Sequence, residues 1–330
     1  LMDDFGHHET PDNAKIKDMI RGYAITTDHN NVTTTTLITP PAQSISAQLI
    51  NTISSLLLQS LEGCNGAVPP QHLQISVLAL TALKGFMAWI DLSLVLDEQL
   101  HVIKLIFTAL AKGSTTDSPM ADAAVVAVEC LQELMARGME EEKKIAILLH
   151  THVLEQIHAH VNLETVDASP IDVVLEVAKF IDRTGLEVVS LMLGAPGGPT
   201  PNGGGGGLTP DQATIRSQLL DLFFRCFAYD DIDVSCAVIN LAGALVPLPP
   251  NGSPPLSLTD PVLSQLLRVT FRQMRYPQDF QFDYEDEDEA EEEVYRTELR
   301  KLNQKFIRAA PAAFLQFICE TWAQLPLPLS

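Results

Sequence analysis

The sequence predicts an all-α protein, a right-handed α-solenoid of antiparallel helix pairs, on three observations. Apolar residues recur at helical spacing through most of the 330 residues, and strand-like alternation is absent. Helix starts are marked by a capping residue followed by proline at Ser118-Pro119, Ser169-Pro170, Thr209-Pro210 and Asp260-Pro261. There the side-chain oxygen accepts a free first-turn N–H, and proline at the first helical position gives up no bond it needs. The helices also fall into pairs, and the first helices of the first three pairs start about fifty residues apart. HEAT repeats have periods of about 40–47 residues, so HEAT-like pairs with lengthened loops account for the spacing.

Taken in order, residues 1–43 read as the end of an upstream repeat and an irregular link. The link, 24–43, is rich in threonine and carries Asn30-Asn31 and Pro40-Pro41. Residues 44–194 hold an earlier helix at 44–62 and then helix pairs at 70–90/97–111, 119–137/141–161 and the first half of 170–193/210–228. The helix at Gln74–Met87 is apolar nearly all round, which places it between neighbours. Its run from Leu73 to Ile90 carries Gln74 and Lys84 and ends at Asp91, so it reads as a buried helix and not a membrane span. Leu100, Ile103, Phe107 and Leu110 make one apolar face; Ala121, Ala124, Val128, Leu131 and Leu134 make another, opposite Asp122, Glu129, Gln132 and Glu133. Residues 195–209, with Gly203 to Gly207 in a row, form a Gly/Pro-rich flexible loop. Residues 210–330 continue with helices at 231–246/260–274 and 289–308/311–323, broken by a second Pro-rich loop at Pro247–Ser257.

Composition narrows the function classes. The chain is 46% hydrophobic but only 6% aromatic, which suits helix-on-helix packing by Leu, Ala, Ile and Val. Half of the net charge of −21 is local, since Asp279 to Glu293 holds ten acidic residues and no basic one. Such a chain is a poor polyanion binder as a whole. Five cysteines, an odd number without a CxxC pair, read as small buried residues in a reducing compartment. The chain begins at Leu1, so a fragment is expected and no targeting signal can be judged.

No constellation supports catalysis. His150, His152, His158 and His160 are the one metal-like cluster, but helical neighbours two apart point about 200° away from each other. No metal and no cofactor is expected, and the histidines read as a polar helix face. The glycine run lacks the strand before it and the Lys-Ser/Thr after it that a phosphate loop needs. No GxSxG elbow is present, so no enzyme is expected. Arg268, Arg272 and Arg275 lie at i, i+4 and i+7, and Lys301, Lys305 and Arg308 repeat that spacing. Both stripes are candidates for contact with phosphates or an acidic partner, against the plainer reading that they balance nearby carboxylates, as Glu292 suits Arg296. The acidic run from Asp283 to Glu293 repels itself and extends; it is either a docking strip or a solvated loop whose end favours a helix N-terminus.

Four stretches resemble the tRNA exportins (exportin-T) of the importin-β/karyopherin family, in family order. They are Ile16-Lys17-Asp18-Met19-Ile20-Arg21; Trp89-Ile90-Asp91-Leu92-Ser93-Leu94; Ala124 to Lys143, with Cys130-Leu131 and Arg137-Gly138-Met139; and Arg275-Tyr276-Pro277-Gln278-Asp279-Phe280 through to Tyr295-Arg296. The polyglycine, the Thr-rich link and the Pro-rich loop depart from the family pattern.

The resemblance implies a middle segment of a nuclear export receptor that carries tRNA together with Ran–GTP and releases it in the cytoplasm on GTP hydrolysis. It implies shuttling between nucleus and cytoplasm, contact with nuclear-pore FG repeats, and no membrane insertion. It makes Asp283, Glu285, Asp286, Glu287, Asp288 and Glu289 the candidate Ran-docking residues. Most tRNA contact would fall to parts of the parent protein outside this segment. Another karyopherin, carrying protein or a different RNA, and a generic HEAT-repeat scaffold are the alternatives.

Overall fold

The computed structural model describes residues 11–27, 33–37, 40, 43–63, 69–194, 208–248, 260–276 and 287–324. Apart from one hairpin, its elements are helices packed on helices. The chain divides into two compact units at 187/188. That division falls ahead of the glycine loop, which lies outside the described residues, and it splits the expected pair 170–193/210–228 between the units.

Unit 1 opens with α1 (Pro11–Arg21) and an antiparallel hairpin of β1 (Tyr23–Thr27) and β2 (Thr33–Leu37), paired from Tyr23↔Leu37 to Thr27↔Thr33. The irregular link expected at 24–43 is therefore partly a two-stranded sheet. Threonine is β-branched, and two short Thr-rich runs satisfy one another's backbone across a ladder better than either does alone.

The helices follow as α2 (Ile45–Glu62), α3 (Pro70–Met87), a 3-10 turn at Leu92–Leu94, α4 (His101–Gly113), α5 (Ala121–Ala136), α6 (Glu141–Thr151), α7 (Val153–His160) and α8 (Ile171–Glu187). First helices lie side by side: α3 packs on α5, and α5 on α8. Of the second helices, α4 packs on the first helix α5, and α7 on the second helix α4. Small residues let α5 approach on several sides, since Ala123, Ala124 and Ala127 are all buried. At the α4–α5 turn a Cβ on Gly113 would fall against the Met120 carbonyl and Ala124, so only glycine admits the approach. Leu80, Leu83, Met87, Ile103, Ile106, Val128, Val174, Val177, Phe180 and Ile181 fill the interior. Each such side chain contributes about 1.5–3 kcal/mol of burial.

Unit 2 comprises α9 (Val189–Met192), α10 (Pro210–Phe227), α11 (Ile232–Ala237), α12 (Ile239–Ala244), α13 (Pro261–Gln273), α14 (Glu287–Ala309) and α15 (Pro311–Gln324). α14 is its hub, touching α11, α12, α13 and α15. A phenylalanine cluster anchors α10: Phe223 stacks on Phe227 at 5.7 Å and tilts against Phe224 at 5.0 Å.

Three helices expected as continuous are broken, at His152, Val188 and Val238. At the first break His152 adopts φ 53, a left-handed geometry that ends α6 and starts α7. Two of the four expected proline-marked caps act as expected. Thr209 forms a capping box with Gln212, and Asp260 accepts the Val262 N–H at 2.9 Å. Ser118 accepts the Met120 N–H two residues on, as Asp260 does with Val262, but one residue ahead of α5, and Ser169 holds the Asn162 N–H from seven residues before it. α3 is not enclosed on all sides: Leu78 is 68% exposed and Ile75 40%. Among the described residues no helix is long and apolar enough to cross a membrane.

Candidate functional site

The resembling strings meet at joints between helices. In unit 1 the C-terminal end of α3 releases carbonyls that no intrahelical N–H can reach. Arg137, just past α5, donates to the Ile90 carbonyl at 2.6 Å and to Met87 at 3.3 Å. Arg21, at the end of α1, donates to the Trp89 carbonyl, and its guanidinium lies 5.4 Å from the Trp89 ring centre, with Lys17 at 5.9 Å. Lys17, Arg21, Trp89, Ile90 and Arg137 thus converge on one helix end, where the macrodipole favours cations. Burial first, and then the charge of Arg21, pull the Arg137 guanidinium below its ordinary value.

Unit 2 repeats the device at the end of α13. Arg296 donates to the Met274 carbonyl at 2.7 Å and to Arg275 at 2.9 Å, and lies 3.7 Å from the Tyr276 ring centre. Its side chain is 3% exposed and pairs with Glu292 at 2.7 Å, the i, i+4 partner the spacing suggests. Tyr276 donates to Glu293 at 2.7 Å. That hydrogen bond holds the Glu293 carboxyl below the usual carboxylate range and raises Tyr276.

Other helix ends are closed in the same way. Gln273 donates to Phe227 and Tyr229 at the end of α10, and Arg216 to the Met192 carbonyl at the end of α9. Lys144, almost fully buried, pairs with Glu187 at the end of α8. Cross-links at one repeat's distance also join α3 to α5, through Lys84–Glu129 at 3.0 Å and Cys130 to the Leu80 carbonyl.

The two basic stripes fare differently. Lys301 pairs with Glu298 at 2.6 Å, and Lys305 caps the Gly243 carbonyl, so both are occupied within unit 2 while Arg308 stays exposed. That stripe is not the free cationic surface its spacing allowed, because two of its members are needed by neighbouring groups. Arg268, Arg272 and Arg275 are exposed and line one groove of about 410 Å³ between α13 and α15. Phe271 and Phe317, edge to face at 5.7 Å, line it too, with Glu320 and Thr321 from α15. The side chains of the three arginines make no hydrogen bond or ion pair with other described residues.

Of the acidic run, Asp283, Glu285 and Asp286 lie outside the described residues. Glu287, Asp288 and Glu289 begin α14, where negative charge suits a helix N-terminus.

Two further grooves were not legible in the sequence. An apolar groove of about 420 Å³ lies between α3 and the start of α5, lined by Leu73, Val77, Leu78, Pro119, Met120 and Ala123. A larger one of about 870 Å³ lies between α4 and α7, where Lys104 and Lys112 face His152, Glu155 and His160. His152 pairs with Glu155 at 3.2 Å. Among the described residues no three His, Cys, Asp or Glu side chains come together to hold a metal ion.

Three thiols offer little nucleophilic character, and Cys64 lies outside the described residues. Burial pushes Cys226 up to about 12 and Cys130 further still, and Cys236 is also raised by burial. Cys319 is exposed, contrary to the expectation of uniformly buried cysteines, because it sits on the outer face of α15.

The chain matches no model of a known protein family and no curated protein.

Proposed function

We propose that this chain is a segment of a nuclear export receptor, a right-handed solenoid of HEAT-like helix pairs that acts by binding and not by catalysis. Its cargo is tRNA carried together with Ran–GTP, and its place is both nucleus and cytoplasm. One observation supports the reading. Of the strings that resemble the tRNA exportins (16–21, 89–94, 124–143 and 275–296), the members Arg21, Trp89, Ile90, Arg137, Arg275, Tyr276 and Arg296 make contacts at joints between packed helices. Residues at such joints can influence how one helix pair follows the next, which is where a repeat family would keep its identity.

The groove between α3 and α5 is the place assigned to nuclear-pore FG repeats, since its lining is mostly apolar, with Gln74 and Asp122 as its polar members. Ran docking is assigned to the acidic run and tRNA contact to parts of the parent protein beyond this segment. With net charge −21, the isolated segment should bind tRNA more weakly than about micromolar at physiological salt. A second reading, a helical-repeat scaffold without transport activity, is favoured by the structural work those same strings do.

Pull-down by the parent protein with Ran loaded with GTP or GDP, with and without tRNA, separates the two. Retention that requires both GTP and tRNA supports the export receptor. Equal recovery of both nucleotide forms, or no recovery, supports the scaffold.

A further inference from the structure

We infer that the groove between α13 and α15 is a docking site for a short acidic peptide of a partner protein, one with an apolar anchor flanked by carboxylates. The inference does not depend on the transport reading.

Arg268, Arg272 and Arg275 line the groove from α13 and the residues just after it. Steps of four and three residues along a helix are about 6 and 4.5 Å, a row able to meet successive side chains of an extended segment. The three are exposed and form no ion pair with described residues, whereas Lys301, Lys305, Arg216, Arg137 and Arg296 are all engaged. In a chain of net charge −21, such a row is the exception.

The other lining groups choose among anionic ligands. Phe271 and Phe317 supply an apolar surface at 5.7 Å edge to face, which holds an aliphatic or aromatic anchor. Glu320 stands on the α15 wall beside the arginines and accepts from Gln316 at 2.8 Å. A carboxylate there opposes a nucleic-acid backbone, which presents only negative charge, but it can accept a peptide N–H. The charge of the whole chain likewise repels a long polyanion more than a peptide with a few carboxylates. Guanidinium forks meet carboxylates with two parallel hydrogen bonds, which gives the site direction as well as attraction.

The test uses the full 330-residue chain and a fluorescein-labelled decapeptide with six acidic residues around a Phe-x-x-Leu core. Fluorescence anisotropy at low and physiological salt compares it with a lysine-substituted decapeptide and with decauridylate. The acidic peptide should bind best, and more weakly as salt rises. Arg268→Glu with Arg272→Glu should weaken it at least about tenfold, and Arg183→Glu, on α8 in unit 1, should leave it within about twofold. Phe317→Leu should weaken the peptide but not its salt dependence, while Arg268→Lys with Arg272→Lys, which keeps the charge and loses the fork, should fall between. Circular dichroism keeps misfolding apart from lost contact, and the lysine variant carries the test if the glutamate variant does not fold. Absence of peptide binding, an equal loss in Arg183→Glu, or indifference to both arginine pairs overturns the proposal. Tighter decauridylate binding that is lost in the same variants overturns it in favour of a nucleic-acid site.

Discussion

The joint at Trp89 and the joint at Tyr276 solve one problem in two ways. Each closes the end of a helix, α3 or α13, with a guanidinium that caps free carbonyls and lies over an aromatic ring. At Trp89 the work is divided: Arg21 comes from α1 and Arg137 from the end of α5, and Arg21 is 29% exposed. At Tyr276 a single side chain, Arg296, does all of it from 3% exposure, with Glu292 as its own counter-ion. Arg137 is lowered first by burial and then by the charge of Arg21, but loss of either cation leaves the other. A single buried ion pair has no such reserve. A carbonyl cap made by distributed charge tolerates change, and one made by a desolvated pair does not.

The largest effect should follow from breaking the buried pair. Arg296→Ala leaves Glu292 without its counter-ion and the Met274 and Arg275 carbonyls without their donor, at a cost of about 3–5 kcal/mol in urea unfolding of unit 2. The chain has two tryptophans, Trp89 in unit 1 and Trp322 in unit 2, so fluorescence of single-tryptophan variants reads each unit separately. A loss below about 1 kcal/mol would show that Arg296 is dispensable and erase the contrast.

Arg137→Ala removes two charged hydrogen bonds but leaves Arg21 in place, so unit 1 should lose about 1.5–3 kcal/mol. Arg21→Ala and Arg137→Ala together should cost more than the sum of the singles, since each cation shields the helix end when the other is gone. Strict additivity would mean that the two caps are independent. Trp89→Leu keeps the backbone bonds and removes the ring beneath Arg21, for about 0.5–1 kcal/mol in urea unfolding followed by circular dichroism, since the variant has no tryptophan left in unit 1.

The smallest effect is a pH dependence. The Tyr276 hydrogen bond depresses Glu293, so its contribution is present above the unfolded carboxylate value of about 4.3 and is lost as pH falls through the lower folded value. Unfolding of Glu293→Gln measured between neutral and acid pH should converge on the wild-type curve in acid. A constant gap would remove the carboxylate from the joint.

How much of this was legible depended on range. The helix starts at Thr209 and Asp260 were written within a few residues and proved local, as did the i, i+4 pair of Glu292 with Arg296. The hairpin at 23–37 was not, because threonine-rich runs become strands only when they find each other. Nor could spacing separate the two basic stripes, which have the same i, i+4, i+7 pattern. Lys305 is bound to a carbonyl of α12 some 62 residues earlier, and Arg268 to no described partner.

The sequence by itself determined the mainly helical class, the helix starts at Thr209 and Asp260 and the spacing of the first helices near fifty residues. These follow from side-chain periodicity and first-turn hydrogen bonds, which act within a turn or two of the chain. The tertiary structure alone decided which cations close helix ends and which stay open to a ligand. Helical spacing places a side chain on a face, but the partner for that face is delivered by packing from a distant part of the chain.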